Sequence, residues 1–217
     1  KHGLLTTIAW QLKPSGPITY ALEGGAFVCG AAVQWLRDGL GLFHHSAEIE
    51  GMARSVETSA GVEFVPALKG LGAPYWEPRA TGLITGLTRG TTKNHLARAT
   101  LEGMALQNAD ILTTMQSDLK RRLKRLRVDG GASRNNLLMQ IQADYLGVPI
   151  QRPRVVETTS SGAAYLAGLG VGLWPDLNAI REVSVIEKEF RSVITQRERK
   201  SRLKAWHLAV ERARYFA

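Results

Sequence analysis

One cysteine, Cys29, stands in 217 residues. A lone cysteine excludes an internal disulfide, and no Cys/His cluster offers the spacing of a metal site. A reducing, cytosolic compartment is therefore expected. Cys29 itself is expected to be a small apolar residue packed on a helix rather than a reactive thiol. Long apolar runs are missing too. The least polar stretch, Ala163 to Trp174, is 12 residues long, whereas a membrane span needs roughly 20 apolar residues. A buried helix is expected there. No internal repeat and no low-complexity segment marks a solenoid. The first residue is Lys1, and neither a charged leader nor a cleavage site precedes the strand-like Gly3 to Trp10; the chain is expected to begin partway along a protein.

Acidic residues are fewer than basic ones, 19 against 28, for a formal charge of +9. Six of the eight residues from Lys120 to Arg127 are basic, as are seven between Arg197 and Arg214. Neither cluster lies within a recognisable nucleic-acid-binding module. The first follows a long helical pattern, where cations complement a helix C-terminus. Solvated helix ends are the expectation, with neither nucleic acid nor membrane as partner. A composition of 44% hydrophobic and 22% charged residues is too apolar for wholesale disorder, and the length predicts one large domain.

Along the chain, Leu4 to Trp10 and Ile18 to Leu22 read as a hairpin joined through Lys13-Pro14-Ser15-Gly16-Pro17. Apolar residues at helical spacing predict a helix over Gly24 to Leu40, and Ala47 to Ser59 reads as a more polar one. Val62 to Pro66 and Gly82 to Leu87 read as strands around a loop, Gly70 to Pro78. Thr91 and Thr92 offer caps for the longest helix, carrying Leu96, Thr100, Met104, Ile111 and Met115. Strand Leu126 to Val128, turn Asp129-Gly130-Gly131, helix Asn135 to Leu146, stop at Gly147 and strand Pro149 to Arg152 follow. A small-residue helix over Ser161 to Leu173 and a helical tail, Gln196 to Tyr215, complete an α/β pattern.

The run Arg127-Val128-Asp129-Gly130-Gly131-Ala132-Ser133-Arg134-Asn135-Asn136 leaves a strand and enters a helix. Paired glycines let a ligand approach the backbone, and unpaired N–H groups at a helix start suit anionic or polar atoms. An ordinary tight turn with Ser133 as the N-cap fits the same residues. Ser161-Gly162-Ala163-Ala164-Tyr165-Leu166-Ala167-Gly168 is expected to serve close packing. Glu102 and Asp110, on the long helix, are expected to be exposed or to make capping-type hydrogen bonds. His44-His45 reads as a surface loop.

These two glycine-bearing patterns, together with Gly82-Leu83-Ile84-Thr85-Gly86-Leu87 and His95-Leu96-Ala97-Arg98-Ala99-Thr100-Leu101-Glu102, resemble the FGGY family of carbohydrate kinases over nearly the whole chain. The run Pro66 to Trp76, with Tyr20-Ala21-Leu22-Glu23-Gly24 and Ala32-Val33-Gln34-Trp35-Leu36-Arg37-Asp38, is similar to members whose acceptor is glycerol. The resemblance implies an actin-like, ribonuclease-H-type fold, a mixed sheet flanked by helices, in which two domains clasp MgATP and a small polyol. Residues 1–217 correspond to the C-terminal nucleotide-binding domain, without its first strand and without the N-terminal domain. By the same resemblance Gly131 and Asn135 meet the adenine end of the nucleotide, and Gly30 and Gln34 make neighbouring contacts. Read on their own, Gly30 is a helix-packing position and Gln34 an exposed polar one. A homo-oligomer is expected, although no residue pattern specifies its size.

The family's glycine- and threonine-rich phosphate strand has no counterpart here, and its polyol-binding residues and catalytic aspartate belong to the part not represented. No catalytic residue is assigned in this chain. The runner-up is Asp129, a carboxylate at a strand end that could accept a proton or meet Mg²⁺ through water. A kinase for a pentulose or another sugar and a non-catalytic actin-like module remain as alternatives, because fold alone does not determine function.

Overall fold

Twenty-seven residues without proline, Lys93–Leu119, form the longest helix of the chain; at 1.5 Å per residue it runs about 40 Å. A computed structural model describes residues 3–215. In chain order the elements are β1 (Leu5–Trp10), β2 (Thr19–Glu23), α1 (Gly30–Asp38), α2 (Glu48–Arg54), β3 (Glu63–Val65), β4 (Leu83–Thr85), α3 (Lys93–Leu119), β5 (Leu126–Arg127), α4 (Asn136–Leu146), β6 (Ile150–Pro153), α5 (Thr158–Gly170), α6 (Leu177–Val183), β7 (Ile186–Phe190) and α7 (Gln196–Tyr215).

Helix α3 is the axis of the core. Its start is closed by Thr92, whose backbone N–H donates to His95 Nδ1 at 3.1 Å. Helices α1, α2, α4 and α7 and strand β3 all pack on it. Leu101, Met104 and Leu106 of α3 meet Leu36, Ile141, Ile150 and Trp206 in one apolar cluster. Each fully buried aliphatic side chain of this kind contributes roughly 1.5–3 kcal/mol. Strands β3 and β4 pair antiparallel, Phe64 opposite Ile84. Strand β5 pairs parallel with β6 across α4, and β6 pairs antiparallel with β7, Ile150 facing both Leu126 and Phe190. That makes a small mixed sheet. Strands β1 and β2 form the expected hairpin, Thr7 opposite Ala21.

Buried ionic groups tie α3 to its neighbours. Asp110 accepts hydrogen bonds from Tyr75 Oη and Trp206 Nε1, both at 2.6 Å, and lies 2.8 Å from His207 Nε2. Glu102 takes Arg98 Nε at 2.7 Å and Arg202 Nη2 at 2.8 Å, and Arg202 also binds Glu63. Burial would lower the affinity of Arg202 for its proton, but the bond to Glu63 and the charge of Glu102 outweigh it and raise its pKa. Burial pushes the neighbouring Tyr145 hydroxyl up to about 12. Glu102 and Asp110 are thus buried rather than exposed, and their hydrogen bonds run to side chains of other turns and elements rather than to helix-end amides, which corrects both expectations for them.

Other boundaries differ from expectation for identifiable reasons. Helix α1 begins at Gly30, not Gly24, because Gly24-Gly25 runs flush against other elements: Gly25 O accepts from Ala73 N–H at 2.9 Å, and a Cβ at Gly24 would lie 2.4 Å from Ile111. Helix α5 begins three residues earlier than expected and ends at Gly170, where the chain turns so that Trp174 meets Tyr165 edge-on at 5.4 Å. It is also not buried. Gly168 alone of its residues is buried, against the Trp174 ring, and a Cβ at Gly162 would meet nothing. Close packing therefore explains Gly168 and not Gly162. Helix α6 and strand β7 were not expected.

Candidate functional site

The glycine turn after β5 is shaped by Gly130, whose φ of 75° belongs to the left-handed region that side chains disfavour. Its N–H donates to Val156 O at 2.8 Å, and Ser133 Oγ closes the turn on Gly130 O at 2.7 Å. Ser133 is therefore a turn brace inside a short 3-10 segment, Gly131–Arg134, and not the cap of α4. The cap is Asn135, whose Oδ1 accepts from Leu138 N–H at 2.9 Å.

The first amides of α4 are not free either. Asn136 N–H and Leu137 N–H donate to the Glu50 carboxylate at 3.1 and 3.2 Å. The expectation of unpaired N–H groups at this helix mouth is corrected: a carboxylate from α2 already fills it. A second anion is repelled from the same point, so the mouth suits an uncharged polar or aromatic group better than a phosphate.

Facing the turn is the start of α1. Gly30 and Gln34 lie four residues apart, on one face of that helix. Gly30, Gln34, Gly131 and Asn135 all line one cleft of about 450 Å³, within the size range of small-molecule sites. Its apolar floor includes Met104, Leu101 and Leu138, and its rim includes Ser46, Glu50 and Arg134. A Cβ built at Gly30 or at Gly131 meets no atom within 4 Å. Protein packing thus does not require either glycine; the space they leave belongs to the cleft. Gln34 is exposed, as read from sequence.

Asp129 sits elsewhere. It is exposed at the end of β5 and borders a separate cavity of about 760 Å³ beside Pro153, Tyr165 and Val185. His44 and His45 are exposed, and their backbone N–H groups donate to Glu48. Cys29 is half-buried at the start of α1, packed against the core, and burial pushes its thiol pKa up. Among the described residues no three His, Cys, Asp or Glu side chains lie together as a metal site, and no helix is long and apolar enough to cross a membrane. Sequence reasoning missed Glu50, because its amide partners lie 86 and 87 positions away and Arg54, one turn along α2, makes it look like half of a surface pair.

This fold is that of the actin-like, ribonuclease-H-type sugar kinases. A crystal structure of glycerol kinase from Plasmodium falciparum with ADP superposes with a TM-score of 0.90 at 36% identity, over 98% of this chain and 42% of that one. A ligand-bound xylulose kinase from Lactobacillus acidophilus superposes at 0.76 with 25% identity, over 96% of this chain and 44% of that one. The C-terminal-domain model of the FGGY family of carbohydrate kinases matches residues 1–171, and the chain belongs to that family. Glycerol kinase from Bdellovibrio bacteriovorus is 62% identical over 212 residues, 98% of this chain and 43% of the relative. The chain thus spans about two fifths of the length of the curated relatives it matches.

Proposed function

We propose that this chain is the nucleotide-binding C-terminal domain, residues 1–217, of a kinase that transfers the γ-phosphoryl group of ATP to glycerol, giving glycerol 3-phosphate. One observation carries the reading. Four residues singled out by family resemblance, from stretches about a hundred positions apart, line one cleft, and the two glycines among them leave room that no protein atom uses. The adenosine end of the nucleotide would lie between α1 and the turn before α4, over the apolar floor of α3. Magnesium would travel on the phosphates, outside this cleft.

The acceptor follows from likeness: relatives named glycerol kinase match at 62% and 56% identity, and the Plasmodium protein was solved with ADP. Phosphoryl transfer needs the acceptor in line and water excluded. On this reading an N-terminal domain supplies the polyol contacts, the base and the phosphate-binding strand, so the isolated chain has no glycerol kinase activity and binds ATP weakly. That the relatives are more than twice as long fits such a domain. A cytosolic location accompanies the reading.

The decisive experiment is Gly131→Leu in the full natural polypeptide that carries this chain. A Cβ at this position meets no protein atom within 4 Å, so a leucine there should extend into the cleft without disturbing the fold. ADP binding by calorimetry should weaken more than about tenfold while the melting temperature stays within about 2 °C, the scale of a neutral surface change. Unchanged ADP affinity would remove the nucleotide from this cleft. A substrate panel tests the acceptor, and a preference for a ketopentose over glycerol would overturn that half of the reading.

A further inference from the structure

The strip of backbone that carries Asn135 and continues from Gly131 is gripped at both ends by charged side chains from other elements. On one side, Glu50 of α2 is half-buried at the cleft rim, and its two carboxylate oxygens accept from the first two amides of α4. Arg54, one turn along α2, donates to the same carboxylate from Nε at 3.0 Å and Nη2 at 2.8 Å. On the other side, Arg152 of β6 is 7% exposed. Its Nη1 donates to the carbonyls of Ser133 at 2.9 Å and Arg134 at 3.3 Å, while its Nε pairs with Glu187 at 3.0 Å.

Each charge sits where the backbone wants it. Carbonyls ending the 3-10 segment carry partial negative charge and meet a cation; amides opening α4 carry partial positive charge and meet an anion. Glu50 has the larger geometric consequence. It joins α2, which lines one side of the cleft, directly to α4, which lines the other, and so adds a charged tie to the packing that both helices make on α3.

We infer that Glu50 and Arg152 are positioning residues for the nucleotide: they hold the Gly131–Asn135 strip at a fixed distance from Gly30 and Gln34, without contributing to the transfer step. The inference rests on the nucleotide occupying this cleft. Arg152 locks the turn against the sheet; Glu50 sets the width of the opening. A side chain that only caps a helix would change how much protein is folded, and hence the rate per total protein, with no change in the concentration of ATP at half-saturation. Misplacing one wall raises that concentration selectively, because binding to a preformed site degrades steeply with small displacements.

The test uses the full natural polypeptide and steady-state kinetics with ATP and glycerol varied separately. Glu50→Ala should raise KM for ATP about tenfold, with KM for glycerol and kcat per folded enzyme within about twofold of the parent value. Glu50→Gln keeps one acceptor oxygen and should fall between the two. It also serves as the readout where Glu50→Ala fails to fold. Arg152→Lys retains the charge but cannot span Ser133, Arg134 and Glu187 together, and should shift KM for ATP in the same direction by less. Gly131→Leu separates the two levels of the argument. If it leaves ADP binding intact, the nucleotide lies elsewhere and this inference falls with that reading. If Gly131→Leu blocks ADP while Glu50→Ala and Glu50→Gln lower only the melting temperature, with KM for ATP unchanged, the positioning role alone is overturned.

Discussion

Two regions of this molecule use the same kinds of residue to opposite ends. Around α3, the side chains of Leu101, Met104, Leu106 and Trp206 are 1% exposed or less. Along β1, β2 and α5 and just beyond it, Ile8, Tyr20, Leu166 and Leu173 stand 54–68% exposed. The first region closes on itself, down to the hydrogen-bonding groups of Glu102 and Asp110. In the second, the hairpin and α5 leave apolar side chains largely exposed, and Leu166 borders an open cavity with Leu12 and Leu177 rather than a packed interior. Scattered exposed leucines would need no explanation, but a whole helix with a single buried residue does. The contrast teaches where the fold is self-sufficient and where, on the proposed reading, a larger polypeptide completes it. The cleft lined by Gly30 and Gly131 belongs to the self-sufficient side, bordered by α1, α2, α3 and the start of α4.

The contrast breaks first at Trp206. Replacing this fully buried ring by alanine removes its packing and leaves Asp110 short of a donor; the expected loss is about 3–5 kcal/mol, read as a lower urea midpoint of the isolated chain. A loss below about 1 kcal/mol would mean that the core around α3 is as loosely held as the flank.

What sequence could show follows the same division. Helices α3 and α7 and the β5–α4–β6 unit were legible, because their apolar spacing, the caps Thr92 and Gly147 and the paired glycines are local signals. Helix α6 does carry a local cap, Asp176, whose carboxylate accepts from Asn178 and Ala179 N–H, but its seven residues include none that is buried and are too few for an apolar period to stand out. Strand β7 hides its one fully buried residue, Phe190, behind Glu187, Lys188 and Glu189. The burial of Asp110 was illegible for another reason: Tyr75, Trp206 and His207 reach it from 35, 96 and 97 positions away. A carboxylate on a long helix looks solvated until its distant donors are placed. Family resemblance named four residues of the cleft; Glu50, whose bonds are equally long-range, was beyond local patterns.

A smaller effect sharpens the boundary at His207, where the core meets solvent. The hydrogen bond with Asp110 raises its pKa above the usual 6.5, with burial opposing and the Asp110 charge adding. A raised histidine contributes stability that is fully present below pH 6.5 and fades as pH climbs through its folded pKa. The ring is half-exposed, so solvent screening keeps the contribution below roughly 1 kcal/mol. Stability of the isolated chain between pH 6 and pH 8.5 should therefore decline in this window, and His207→Gln should flatten that part of the profile. An unchanged slope would place the titrating group elsewhere.

The smallest change in the isolated chain should come from the flank, and it is the most informative. Leu173→Ser and Leu166→Ala remove side chains that touch little, so each should alter stability by no more than about 0.5 kcal/mol. In the full natural polypeptide the same substitutions should cost more, about 2 kcal/mol or above for Leu166→Ala if it becomes a packed position. Chemical denaturation of both forms, with and without each substitution, measures the difference directly. Equal small effects in both would leave α5 a solvent-facing helix in the finished protein. The small residues of Ser161 to Gly168 would then lack the packing partner that the two-domain reading supplies.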